Sequence, residues 1–243
     1  KTLFPYTTLF RSDNGIVFLC TDIMDREHTQ LRLLEFARDV NADLDRCGFP
    51  LCSGKIMASN PALCLTLEEW EEKFAAWVRT PEPEALLNAT IFFDFRPLFG
   101  QFNLAERMRI ALLRQTRGNP LFLRMLAANA LTVTPPLGMI RDFVTDEDPE
   151  HPGCIDLKKY GSRLFIDAAR VFALGHDVSV TNTVLRLKQT GAAMNVSPEE
   201  VGAAIDAFNF IQLMRLRHQH AEQQPPISAH VSKKDFSQHR WTS

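Results

Sequence analysis

Two carboxylates and one short loop hold the side chain types that chemistry would need. Asp13 stands at the mouth of the apolar run Gly15-Ile-Val-Phe-Leu-Cys20, and Asp94 falls late in Thr90-Ile-Phe-Phe-Asp-Phe-Arg96. An acid on an apolar strand is costly to bury unless something pairs with it. Asp94 therefore serves a ligand, pairs with nearby Arg96, or caps a turn. Between the two acids, Ser53-Gly-Lys55 and Ser59-Asn60 offer amides, hydroxyls and an ammonium, the groups from which a triphosphate site of the nest kind is built. An ordinary turn uses the same residues. His218 and His220, two residues apart on a helix, cannot share a face, which argues against metal binding. The five cysteines, Cys20, Cys47, Cys52, Cys64 and Cys154, form no Cys-x-x-Cys pair and no zinc spacing, and read as reduced packing thiols.

These groups need elements to position them. The run after Asp13 has the length and β-branched content of a buried strand, and Thr90–Arg96 reads as a second strand. From about Asp25 to Arg46, Leu33, Phe36, Ala37, Val40 and Leu44 recur at helical spacing, and Cys47-Gly48 stops the helix. Thr66-Leu-Glu-Glu69 is a capping box opening a helix with Leu67, Trp70, Phe74 and Trp77 on one face; such an aromatic stripe is core rather than a base-stacking platform. After Gly100 the pattern is helical: Leu104 to Gln115, Pro120 to Leu131, Ser162 to Leu174 with Leu164, Ala168 and Val171 inward, one capped within Thr181-Asn-Thr183, and one from the capping box Ser197-Pro-Glu-Glu200 to about His220. In the last, Ile205, Phe208, Ile211, Leu213 and Leu216 are the core candidates. The polar tail from Gln223 is expected to fray. The fold class is α+β, a strand-containing domain over 13–103 joined to an all-α domain over 104–222, with 223–243 as tail. Its own caps and apolar faces predict that the helical half folds alone.

Charge narrows the function. The 243 residues carry 27 basic and 29 acidic side chains, a formal net charge of −2, so no global attraction to nucleic acid or an anionic membrane is built in. Asp13–Asn103 holds 8 basic and 15 acidic residues and Leu104–Ser243 holds 17 and 14, two compositionally different halves. No apolar run reaches the roughly 18 residues of a membrane span, and no export signal is recognisable, which places the chain in the cytoplasm. Lys1–Ser12 resembles the in-frame translation of a sequencing adapter and is set aside as an artefact.

Eight segments, in order, resemble one bacterial nucleotidyltransferase family: Asp13-Asn-Gly-Ile-Val-Phe, Cys47-Gly-Phe-Pro-Leu-Cys, Met57-Ala-Ser-Asn-Pro, Leu87-Asn-Ala-Thr-Ile-Phe-Phe-Asp-Phe-Arg-Pro, Pro135-Pro-Leu-Gly, Ile155-Asp-Leu-Lys, Asp167-Ala-Ala-Arg and Arg215-Leu-Arg-His-Gln. That family is similar to the N-terminal part of protein-PII uridylyltransferase and is often fused downstream of CBS and cyclic-nucleotide-binding domains.

The resemblance implies a polymerase-beta-like domain followed by a helical bundle, a Gly-Ser motif for nucleotide phosphates, and an Asp-x-Asp plus a third carboxylate holding two magnesium ions. Metals so held bridge phosphate oxygens and lower the pKa of an attacking hydroxyl. Asp13 matches the second Asp of that motif; Ser12 stands at its middle and Arg11 where the first Asp belongs, and an arginine cannot ligate magnesium. Asp94 matches the third carboxylate, while Ser53, Gly54, Ser59 and Asn60 face the nucleotide. Lys55 replaces a family glycine, which weakens any phosphate role for it. Asp156, Lys158, Asp167, Arg170 and Arg186 lie in family motifs of the helical half and are expected to pair among themselves rather than close over nucleotide. The reading that follows is metal-dependent transfer of a nucleoside monophosphate from a nucleoside triphosphate to a hydroxyl, with a protein acceptor possible and this chain, truncated at the motif, inactive. The alternative is a non-catalytic nucleotide-sensing or signal-transduction module.

Overall fold

A computed structural model describes residues 13–20, 22–135, 152–221 and 230–232; the adapter-like segment, most of the turn and acidic loop around 136–151, and most of the tail lie outside the described residues. Strands β1 (Ile16–Phe18) and β2 (Cys64–Thr66) pair in parallel, Ile16 opposite Cys64 and Phe18 opposite Thr66. Parallel strands require a crossover, and helix α1 (Ile23–Arg46) supplies it. Its buried stripe is Leu34, Ala37 and Asn41, and Phe36 and Val40 face outward, a rotation from the expected stripe that brings a polar residue inward. β2 is a strand the sequence did not announce, since Cys64-Leu-Thr66 also forms the lead-in to a cap.

That cap is formed in full. Thr66 Oγ1 accepts from the Glu69 amide at 3.2 Å while Glu69 Oε2 accepts from the Thr66 amide at 2.8 Å. Helix α2 (Leu67–Arg79) then buries Leu67, Trp70, Phe74 and Val78 at helical spacing. Trp70 Nε1 donates to the Ile16 carbonyl at 2.9 Å and so fastens α2 to β1.

The expected strand at Thr90–Arg96 is not one. Helix α3 runs Pro83–Phe92, begins with proline in its first turn, and buries Ala85, Leu86 and Ala89, with Phe93 following at the same spacing. The β-branched and aromatic run is overridden by that period of three to four, because tertiary burial outweighs strand propensity.

Helices α4 (Phe102–Arg117) and α5 (Pro120–Ala130) follow as expected, Asn119 capping α5 by accepting from the Phe122 amide at 3.0 Å. A short antiparallel pair, β3 (Cys154–Asp156) and β4 (His230–Ser232), aligns Ile155 with Val231. Three residues of the tail are therefore ordered, with Val231 only 1% exposed, because Ile155, Leu157 and Met214 offer an apolar face to cover. A π turn (Lys158–Ser162) leads into α6 (Arg163–Gly175), then α7 (Thr183–Ala193) capped by Asn182 and α8 (Pro198–Ala221) opened by the Ser197/Glu200 box. In α8 Phe208 and Met214 are buried, whereas Leu213 and Leu216 face outward, against expectation.

The architecture is α+β with a helical C-terminal region. One apolar cluster runs from Leu63, Trp70, Phe74 and Phe93 through Leu104, Met108 and Leu112 to Phe122, Leu126 and Leu174, drawing on both sides of residue 103.

Candidate functional site

Asp13 is exposed beside the start of β1, and Asn14 after it is held on three sides. The Asn14 amide donates to the Ile56 carbonyl at 3.1 Å, its Oδ1 accepts from the Ala58 amide at 2.8 Å, and its Nδ2 donates to Asn41 Oδ1 at 3.0 Å. Asn41, buried on α1, passes a further bond from Nδ2 to Ser59 Oγ at 3.0 Å. This chain of side chains brings Asp13 and the loop 52–60 to one place, although they are some forty residues apart in sequence. Within the loop, the Lys55 amide donates to the Cys52 carbonyl at 2.9 Å, making Ser53 and Gly54 the exposed centre of a turn, with Lys55 at φ 56°. Asn60 Oδ1 accepts from the Ala62 amide at 3.0 Å and its Nδ2 donates to the Lys55 carbonyl at 3.1 Å. The amides of Lys55, Ala58, Asn60 and Ala62 thus all donate within the protein. What the place presents to solvent is a carboxylate from Asp13, the Ser53 hydroxyl and the Lys55 ammonium.

Asp94 is held by residues of the helical region. It lies in the turn after α3, and its partner is not Arg96. Oδ2 accepts from Arg170 Nε at 3.1 Å and Nη2 at 2.7 Å, and Oδ1 lies 2.7 Å from Arg186 Nη1. Arg170 comes from α6 and Arg186 from α7; both are almost wholly buried. Each is fixed a second time, Arg170 Nη1 on Asp167 Oδ1 at 2.6 Å and Arg186 Nε on the Val180 carbonyl at 2.7 Å. Arg109, from α4, donates to the carbonyls of Phe93 and Phe95 on either side of Asp94, and its guanidinium lies 4.0 Å from the centre of the Phe95 ring. Burial alone would push the Asp94 carboxyl up, but Arg170 and Arg186 together hold it below the ordinary carboxylate value. Burial lowers the Arg109 guanidinium to about 10, with Asp94 opposing and Arg186 adding to the fall. Burial likewise lowers Arg186, whereas for Arg170 the two aspartates outweigh burial and raise it.

Asp167 and Arg170 pair within α6, while Arg186 joins them only through Asp94, so the polar network expected among residues of the helical half runs through the turn after α3. Asp156 does something else: its Oδ1 accepts from the amides of Lys158 and Lys159 at 2.8 and 2.9 Å and starts the π turn. Trp70, Phe74 and Trp77 line the core as expected. Sequence reasoning missed Asn41 and Arg109. Asn41 follows Ala37 by four residues on a helix, so a polar residue on the inner stripe was the available signal.

The donors do not fit a two-magnesium site as they stand. Asp94 has both oxygens on guanidinium groups, and a divalent cation there would sit beside two fixed positive charges. Among the described residues no group of three or more His, Cys, Asp or Glu side chains converges as a metal would need.

Fold and site define an α+β protein with a polar loop cluster at one strand end and a charge cluster joining its helices. Comparison with protein families resolves it further. Residues 8–84 match the family described as "Putative nucleotidyltransferase DUF294", and residues 120–240 match "Putative nucleotidyltransferase substrate binding domain". The chain is thus similar to both domains of this nucleotidyltransferase family. Comparisons with curated proteins and with solved structures gave no match. Among the described residues, no helix is long and apolar enough to cross a membrane.

Proposed function

We propose that the protein binds a nucleoside triphosphate at Asp13 and the 52–60 loop and belongs to the machinery that transfers a nucleoside monophosphate to a hydroxyl. In that reaction the acceptor oxygen bonds to the α-phosphorus, diphosphate leaves, and the hydroxyl proton is lost. The observation that supports the reading is the Asn14–Asn41–Ser59 chain, which fixes Asn14, the neighbour of Asp13, against the loop inside the segment matched to the nucleotidyltransferase domain. The helical region presents the acceptor, a protein hydroxyl if the likeness to protein-PII uridylyltransferase extends to substrate. Ser53, Gly54, Ser59 and Asn60 shape the nucleotide face, with Lys55 at its rim.

A second reading, a nucleotide-sensing module without transfer, is favoured by the engagement of Asp94 with two arginines. The chain as written binds without transferring, since Arg11 stands two residues before Asp13 and cannot replace a carboxylate.

Titration calorimetry with the four nucleoside triphosphates tests binding, and transfer of an α-phosphate label to added protein tests chemistry. Binding that Asp13→Asn weakens, without label transfer, is the expected result for this chain. Gain of transfer in Arg11→Asp selects the enzyme; unchanged binding without transfer selects the sensor. No nucleotide binding at all removes both readings.

A further inference from the structure

We propose that Asp94 is a charge lock, by which the segment connecting the two family-matched regions clamps helices α6 and α7, and that it is not a magnesium ligand. The inference rests on the geometry of the cluster and not on the transfer reaction.

Residues 85–119 fall between the two matches, yet they do not behave as a spacer. Arg109 on α4 holds the carbonyls of Phe93 and Phe95, so the turn that carries Asp94 is held by its backbone as well as by its carboxylate. The carboxylate then takes the Arg170 guanidinium with one oxygen and faces Arg186 with the other. A single side chain thereby bridges two helices that lie 76 and 92 residues further along the sequence.

Asp94 is the aspartate that touches both Arg170 and Arg186, so its loss uncovers two buried cations at once. Three buried arginines, Arg109, Arg170 and Arg186, face two aspartates, Asp94 and Asp167, and the half-exposed Arg163 reaches Asp167 from outside at 3.2 Å. Removing Asp94 leaves three buried cations and one anion, and an uncompensated buried charge is strongly destabilising. A magnesium ion at Asp94 would increase the positive excess instead of relieving it. Removing Asp94 and Arg186 together, by contrast, keeps the Arg170–Asp167 pair and leaves one buried cation fewer than removing Asp94 alone.

Thermal unfolding of the full chain in EDTA separates a lock from a ligand. A lock predicts that Asp94→Asn lowers Tm by roughly 6–12 °C with no metal present, that Asp94→Glu recovers part of the loss, and that Asp94→Leu/Arg186→Met is more stable than Asp94→Leu. If Asp94→Asn does not accumulate folded, recovery of a cooperative melt in the double variant supports the lock equally. Removing a carboxylate from an unfilled metal site leaves Tm unchanged or raises it. The proposal is overturned by an Asp94→Asn melt at or above that of the parent in EDTA, by a double variant no more stable than the single, or by a magnesium-induced rise in Tm that Asp94→Asn abolishes.

Discussion

Gly191 of α7 faces Val201 of α8 so closely that a Cβ on the glycine would lie 2.4 Å from Val201 Cγ2. Valine in a helix has essentially one χ1 rotamer and cannot swing aside, so the two backbones meet at this point because one of them has no side chain. Gly191→Ala is expected to cost about 1–3 kcal/mol through overpacking, and Gly191→Ala/Val201→Ala to recover most of it. Denaturant titration of the two variants measures both; an unchanged midpoint in the single variant would show that the helices can separate freely.

The Asn14–Asn41–Ser59 chain makes a prediction about the loop rather than the core. Asn14→Ala removes the acceptor for the Ala58 amide and the donor to Asn41. A loss of about 1–2 kcal/mol is expected, with faster hydrogen exchange at Ala58. Asn41→Leu should release Ser59 by the other end of the chain. Exchange at Ala58 as slow as in the parent would mean the loop is held by its own turns alone.

Acid should find Asp94. Its folded-state pKa is depressed, so the stability it contributes is complete above its unfolded value near pH 3.9 and is lost as pH falls through the lower folded value. The parent's unfolding free energy should therefore fall more steeply below about pH 4 than that of Asp94→Asn. Parallel slopes would place the acid sensitivity elsewhere.

Cys64 makes the opposite prediction, in alkali. Burial raises its thiol from 9.0 to about 11. The folded state then keeps its proton where the unfolded chain has lost it, and stability declines as pH rises from about 9 towards 11. Cys64→Ala should lose that decline. At neutral pH, Cys47, which is exposed, should react with a thiol reagent while Cys64 stays unmodified until unfolding.

The segment 104–222 was expected from its caps to fold alone, and the packing argues otherwise. Leu104, Met108, Leu112, Phe122 and Leu126 share a cluster with Phe74, Val78, Leu86 and Phe93. Isolated, they would lose that cover, and the fragment should show helical signal without a cooperative melt. A cooperative calorimetric transition would show that α4 to α8 suffice as a core.

What could be read from the sequence was local. The Thr66/Glu69 and Ser197/Glu200 boxes and the Asn119 cap place helix starts because each interaction closes within four residues. Ile-Phe-Phe-Asp misled, since short apolar runs fit strand and helix alike; Pro83 and the spacing of Ala85, Leu86, Ala89 and Phe93 carried the helical answer. Asp94 was read as an acid that must serve a ligand, pair with Arg96 or cap a turn, and it has two partners, but nothing local distinguishes Arg96 from two arginines 76 and 92 residues away. Asn41 was hidden by its polarity on a stripe read for apolar residues.

The bond from Trp70 to the Ile16 carbonyl gives the protein an optical gauge of its own first strand. Indole emission responds to the loss of a hydrogen bond and to the arrival of water, and Trp70 is only 4% exposed while that bond holds. Release of β1 from α2 would redden its fluorescence before the helices melt. In a Trp77→Phe/Trp241→Phe background, a fluorescence transition that precedes the loss of helical circular dichroism would time the detachment of the strand beside Asp13, with no label introduced.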